Sequence, residues 1–124
     1  MILVVDDHSD TCNALVRLLK SHGYQAQAAG CGVEALDYLR ANTPRLVVLD
    51  CHMPDLDGFG VLDTMRRDAR MCLIPVIMFS AAGSEHEGRA LELGVKEFIR
   101  KGSLDWPYLL AAMEKHMSPP IPSP

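Results

Sequence analysis

The residues of this chain with the most chemistry in them are carboxylates that follow short apolar runs. Asp50 closes the run Leu46, Val47, Val48, Leu49, and Asp6 and Asp7 close the run Ile2 to Val5. Runs this short and this apolar read as strands buried on both faces, the kind found in parallel sheets covered by helices. Open α/β sheets place their sites beyond the C-terminal ends of such strands. If the two strands are neighbours, three carboxylates meet at one edge, where they repel each other unless a cation lies among them. Mg²⁺ suits such a cluster, because it takes one or two carboxylates and keeps positions open for water and phosphate oxygens. Ser80, after Met78-Phe79, and Lys101, after Ile99-Arg100, would project towards the same edge. A carboxylate nucleophile, a divalent cation, a hydroxyl and an ammonium together make a site for a phosphoryl group. Each group also has a plainer role. Asp6 or Asp7 could cap a helix, Ser80 could serve a turn, and Lys101 could be a solvated charge. It is their conjunction at four strand ends that argues for phosphoryl chemistry.

The elements that must position these groups alternate along the chain. A helical stripe of Cys12, Leu15, Val16, Leu18 and Leu19 opens near Ser9 and Asp10 as caps and stops at Gly23. Residues 24–29 form a weak strand. Val33, Ala35, Leu36 and Leu39 form a second helical stripe, ended by Asn42, Thr43 and Pro44. After the Asp50 strand, Asp57-Gly58 opens a third helix carrying Phe59, Val61, Leu62 and Met65. Residues 74–79 make a fourth strand, with Pro75 tolerated at its start. Ala90, Leu91 and Leu93 close a short helix at Gly94. Residues 97–99 make a fifth strand, and Leu104, Leu109, Leu110 and Met113 carry a last helix, with Pro107 in its first turn. Five strands alternating with five helices indicate a doubly wound α/β sandwich. Pattern alone leaves the strand order open.

Composition narrows the field. A chain of 124 residues, 48% apolar, is long enough for one domain with a sizeable core. No apolar stretch is long enough to span a bilayer, and Met1 leads into a strand with no basic region before it, so a cytoplasmic protein without a signal peptide is expected. The net charge of −4 gives no basis for nucleic-acid binding. Cys12, Cys31, Cys51 and Cys72 lie in different elements with no CxxC spacing and read as reduced thiols. Residues 118–124 hold four prolines in seven positions and read as a polyproline tail.

The motifs Val4-Val5-Asp6-Asp7, Leu49-Asp50-x-x-Met53-Pro54-x-x-Asp57-Gly58, Phe79-Ser80-Ala81 and Ala90-x-x-x-Gly94 through Phe98-x-x-Lys101 resemble the receiver domain of bacterial two-component response regulators. The resemblance runs over residues 1–117, leaving 118–124 as a tail or the start of a linker. It implies a flavodoxin-like (βα)5 fold whose five-stranded parallel sheet has order 2-1-3-4-5. It implies that Asp50 accepts a phosphoryl group from a sensor histidine kinase or phosphotransfer protein. Asp7, Asp50 and the backbone carbonyl of His52 would hold Mg²⁺, or Mn²⁺ in its place, with Asp6 acting through water. Ser80 and Lys101 would contact phosphoryl oxygens. Ser80 and Phe98 would switch the face of the fourth helix, fifth strand and fifth helix, signalling to an output domain or target, with a phosphorylation-dependent dimer as one outcome.

Some positions depart from the family. Gly102 stands where proline follows the lysine, so a trans bond is expected there, because cis costs about 2.5–4 kcal/mol at a non-proline residue. Phe98 replaces a frequent tyrosine, which favours an inward ring. His52 is placed to tune loss of the phosphoryl group, whereas Cys51 should face the packing. His8 and His22 read as surface groups, and Met65, Met78 and Met113 as core. The chain reads as a switch rather than an enzyme. The alternatives are a phosphorylation-independent interaction module with this fold, or a Mg²⁺-dependent aspartyl-phosphate hydrolase, against which His52 stands where a second aspartate would be needed.

Overall fold

A computed structural model describes residues 1–81, 84–101 and 106–118. Its strands are β1 (Ile2–Val5), β2 (Ala26–Ala29), β3 (Leu46–Leu49), β4 (Val76–Ser80) and β5 (Glu97–Arg100). Its helices are α1 (Ser9–Ser21), α2 (Gly32–Ala41), α3 (Gly58–Arg67), α4 (Glu87–Glu92) and α5 (Trp106–His116). Two short 3-10 turns, Met71–Leu73 and Ser84–His86, precede β4 and α4. All strand pairs are parallel and the sheet order is β2-β1-β3-β4-β5. The order that the resemblance implied is the order found.

Strand alternation divides the core in two. Leu3, Val5, Val47, Leu49, Val76 and Met78 face α2, α3 and α4, burying Leu36, Leu39, Leu62 and Met65 among others. Ile2, Val4, Leu46, Val48, Ile77 and Phe79 face α1 and α5, against Leu15, Leu19, Leu109 and Met113. Each fully buried aliphatic side chain of this kind contributes about 1.5–3 kcal/mol. Met65, Met78, Met113 and the inward Cys51 lie where the sequence reading placed them, Met53 and Met71 join them in the core, and all four cysteines are free.

Several boundaries differ from the sequence reading. β2 is shorter than residues 24–29, because its pairing with β1 starts at Ala26 opposite Ile2, and the Tyr24 amide donates to the Leu19 carbonyl at 3.0 Å. Val33 is 55% exposed, so it contributes little to the α2 stripe. Ser9 and Asp10 lie inside α1 rather than capping it; the cap is His8, whose side chain makes no capping bond. Asp57 does cap α3, accepting from the Gly60 amide at 2.8 Å. Gly23 and Gly94 end α1 and α4 with φ of +87° and +92°, a backbone region in which a side chain is strained. Gly102, Leu104 and the tail from Pro119 onwards lie outside the described residues, and so does the expectation of a trans Lys101–Gly102 bond. Ser118 is fastened to Arg45 twice: its amide donates to the Arg45 carbonyl at 3.0 Å, and Arg45 Nε donates to its carbonyl at 2.8 Å. No helix among the described residues is long and apolar enough to cross a membrane.

Candidate functional site

Register brings the acidic groups together. Val5 pairs with Leu49, and the Asp50 amide donates to the Val5 carbonyl at 2.9 Å, so Asp6 and Asp50 leave adjacent strands side by side. Alternation then sorts the side chains. Asp6 follows Val5, Asp50 follows Leu49 and Lys101 lies two residues past Ile99, so all three continue the row that faces α1 and α5. Lys101 Nζ accordingly reaches Asp6 Oδ2 at 2.5 Å and Asp50 Oδ2 at 3.2 Å, and lies 5.9 Å from the centre of the Phe79 ring. Asp6 and Asp50 are 3% and 4% exposed, and Ser80 is 1% exposed.

Burying two carboxylates a few ångströms apart has an electrostatic cost, visible at Asp50. Burial pushes its carboxyl above the usual carboxylate range and the charge of Asp6 pushes the same way. Lys101 and a hydrogen bond from the Ser80 hydroxyl pull back without cancelling the rise. Burial also acts to lower the Lys101 ammonium pKa, but hydrogen bonds and attraction to Asp6 and Asp50 outweigh it, and the net shift is upward. Lys101 therefore stands as a fixed internal counter-ion. The adjacent Cys51 thiol is pushed up to about 11, chiefly by burial, and lies 3.5 Å from Met78 Sδ. That leaves it a packing group rather than a nucleophile.

The loop after β3 is tightly built. Gly58 donates its amide to the Cys51 carbonyl at 2.9 Å, and a Cβ at Gly58 would fall 2.1 Å from the Asp50 carbonyl oxygen. The Asp57-Gly58 spacing beyond Asp50 thus has a steric cause: only glycine lets the start of α3 lie against the end of β3. Asp55 in the same loop has φ +69°, in the left-handed region that aspartate tolerates better than most residues. The His52 amide points towards Asp50 Oδ1 at 3.5 Å.

Asp6, Asp7, His8 and Asp50 each offer a ligand atom, and these atoms lie within 4.8 Å of one another. Asp7 and His8 are the open members, their side chains 27% and 72% exposed. His8 was read as a surface group and is indeed exposed, yet its Nδ1 lies 3.3 Å from Asp7 Oδ1 and 3.5 Å from Asp6 Oδ1. Its amide also donates to Asp6 Oδ1 at 2.9 Å. Adjacency to Asp7 was the sequence signal for it. Phe98 is half-buried and packs against the core under α2, α3 and α4, so its ring is not fully outward. His22 is exposed. The structure therefore brings together Asp6, Asp7, Asp50, Ser80 and Lys101, with His52 on the rim and Phe98 at the adjoining edge.

A family model described as the response regulator receiver domain matches residues 2–114. The chain belongs to that family. Among curated relatives, this receiver domain is 40% identical over 101 residues to a probable transcriptional regulator, ycf27, of Cyanophora paradoxa. The match takes in 81% of the chain and 41% of that relative, so the chain spans about two fifths of the length of the curated relatives it matches. Among solved structures, the receiver domain of HemR from Leptospira biflexa, non-phosphorylated, is 30% identical with a TM-score of 0.84, covering 99% of this chain and 98% of that one. The response regulator protein TrrA from Thermotoga maritima, solved in complex with Mg²⁺ and BeF, is 28% identical with a TM-score of 0.84, covering 94% and 97%. This receiver domain thus shares its fold with proteins of two-component signalling.

Proposed function

We propose that this receiver domain is a phosphorylation-controlled switch in which Asp50 accepts a phosphoryl group from a phosphohistidine on a sensor histidine kinase or phosphotransfer protein. The observation that carries this reading is the setting of Asp50. It is a buried carboxylate held between the Lys101 ammonium at 3.2 Å and the Ser80 hydroxyl, with a second buried carboxylate beside it. In the transfer, an Asp50 oxygen attacks phosphorus as the bond to the donor imidazole breaks. Lys101 and Ser80 are placed to meet the oxygens of the arriving group.

The residues fit a hard divalent cation. The donor set is rich in oxygen, its ligand atoms lie within 4.8 Å, and two of its carboxylates, Asp6 and Asp50, are buried side by side, where a cation would offset the cost of keeping both ionised. Asp7, Asp50 and the His52 carbonyl would hold Mg²⁺, or Mn²⁺ in its place, with Asp6 acting through water. When bound, such a cation neutralises charge on phosphoryl oxygens. The similarity to TrrA, solved with Mg²⁺ and BeF, supports this assignment.

Once Asp50 is esterified, its carboxylate no longer pairs with Lys101 as before, and Ser80 gains a stronger acceptor in the phosphoryl oxygens. Ser80 drawn towards the phosphoryl group and Phe98 turned further inward would reshape the α4–β5–α5 face. That face would signal to an output domain or target protein, or support a phosphorylation-dependent dimer. The receiver unit would run over residues 1–117, with 118–124 leading into a linker. Its role is a switch, with chemistry limited to gaining and losing its own phosphoryl group.

Incubation with acetyl phosphate and Mg²⁺ tests this. The wild-type protein should gain the mass of one phosphoryl group, and Asp50→Asn should gain none. Chelation with EDTA before the incubation should abolish the gain. Phosphorylation of Asp50→Asn to the wild-type extent would refute the assignment.

A further inference from the structure

A line of ring contacts leads from the loop after Asp50 to the start of α4. The His52 and His86 imidazoles meet edge to face, with centroids 5.2 Å apart and planes at 78°. His86 in turn lies 5.7 Å from the Phe59 ring, and the Arg89 guanidinium stands 4.3 Å from that ring's centroid. Phe59 is buried in the core and packed by its neighbours there. His86 is half-buried on this platform, whereas His52 is exposed. An exposed imidazole on a loop populates several rotamers unless a neighbour selects one, and edge-to-face packing supplies such a selection.

The place of this contact gives it a consequence. β3 and β4 are adjacent, with Leu49 paired to Met78, so His52 and His86 follow neighbouring strands. His52 belongs to the loop after β3, and His86 ends the 3-10 turn Ser84–His86 in the loop after β4. We infer that His86 is a positioning residue, which holds the His52 ring as a bridge between these two loops and thereby slows hydrolysis of phosphorylated Asp50. The inference rests on Asp50 being the phosphoryl acceptor. In that hydrolysis a water oxygen bonds to phosphorus as the bond from phosphorus to the Asp50 oxygen breaks, releasing inorganic phosphate, a proton and the free carboxylate. The water must arrive in line, on the side of phosphorus that faces away from the Asp50 oxygen. A His52 ring held in one rotamer, two residues from Asp50, narrows that approach, and a ring free to rotate opens it.

The experiment phosphorylates the whole chain with acetyl phosphate and Mg²⁺, removes the donor by gel filtration, and follows loss of phosphoprotein on Phos-tag gels. His86→Ala should shorten the phosphoryl half-life about 2–10-fold, the range that loss of one aromatic pair supports. His52→Ala should do the same. The double variant should be no faster than His52→Ala alone, because His86 acts through His52. His86→Phe, which keeps a ring on the Phe59 platform, should restore a half-life near wild type. If His86→Ala fails to fold, judged by circular dichroism, His52→Ala and His86→Phe carry the test. A half-life unchanged or lengthened in the alanine variants overturns the inference, as does strict additivity in the double variant. A wild-type protein that takes up no phosphoryl group refutes the reading of Asp50 and this inference with it. A wild type that is phosphorylated, with variants that decay at its rate, refutes this inference alone.

Discussion

Strands β1, β3 and β4 are buried along their whole length, whereas β5 is half-buried at Glu97 and Phe98 and exposed at Arg100. The helices beside them follow the same gradient. α1 has 13 residues and α3 has 10, but α4 has six and buries only Ala90. The carboxylates and Ser80 leave the stiff centre of the sheet, and the candidate switch residue Phe98 lies on the lightly packed edge. A site that must hold charges within a few ångströms needs rigid supports. A surface that must change shape is drawn from the least stable part of the fold. The α4 edge is nevertheless tied to α3 at both ends. Near its start, Arg89 and His86 lie against Phe59. Near its end, Arg66 donates from Nε to the Leu93 carbonyl at 2.8 Å, from Nη2 to that of Gly94 at 3.2 Å, and from Nη1 to that of Cys72 at 2.9 Å. This edge is therefore loose in its apolar packing but fixed by a few directional contacts.

The sharpest way to break this contrast is to truncate one apolar side chain in each region. Leu49→Ala at the sheet centre should cost about 2–5 kcal/mol, while Phe98→Ala at the edge should cost less than half as much, since its ring is only half-buried. Equal losses in urea denaturation would show that the two regions are packed alike. Gly58→Ala comes next. The new methyl would collide with the Asp50 carbonyl oxygen, and about 1–3 kcal/mol should be lost as the start of α3 is pushed off β3. Arg66→Ala should cost about 1–3 kcal/mol, because three backbone carbonyls lose a charged donor. Its more telling effect is local: amide hydrogen exchange should accelerate around Leu93 and Gly94 while β1 and β3 stay protected.

The smallest expected effect is one of pH. The folded domain holds the Asp50 proton more tightly than the unfolded chain does, so ionising Asp50 works against folding. This contribution is favourable at low pH and is lost as pH rises from the ordinary value of 3.8 through the raised folded value. Lys101 acts in the alkaline range. Its raised value adds stability that is fully present below 10.5 and is lost as pH climbs through the folded value. Asp50→Asn should therefore melt at a higher temperature than wild type at neutral pH, and the gap should narrow on acidification. A lower melting temperature for Asp50→Asn at neutral pH would mean that the ion pair with Lys101 outweighs the burial cost.

The order of elements and, to within two residues, the ends of β1, β3, β4 and β5 were legible in the sequence, because they depend on local facts. Apolar runs of four or five residues, a 3.6-residue stripe and a glycine after it act within a few positions of themselves. Asp57-Gly58 was equally legible, since Asp57 caps the helix it precedes and Gly58 is confined by a strand end only eight residues earlier. The poorly patterned elements were not. β2 is Ala-Gln-Ala-Ala and shows its bounds only through pairing with β1. The caps at Ser9 and Asp10 went to His8 instead, and Asp6 accepts the His8 amide from outside the helix.

Everything that depends on register between distant segments was decided by tertiary structure alone. Which carboxylates share the Lys101 ammonium follows from parity across three strands, and no spacing within one segment contains that information. The raised pKa of Asp50 depends on burial and on the neighbouring Asp6 charge, both of which come from segments distant in the chain. His86, Arg66 and Arg89 carried no sequence signal, because a lone histidine or arginine acquires its meaning only from the ring or carbonyls that folding sets against it. Residue types supplied the chemistry of this receiver domain, and the packing of distant strands decided which of those groups would meet.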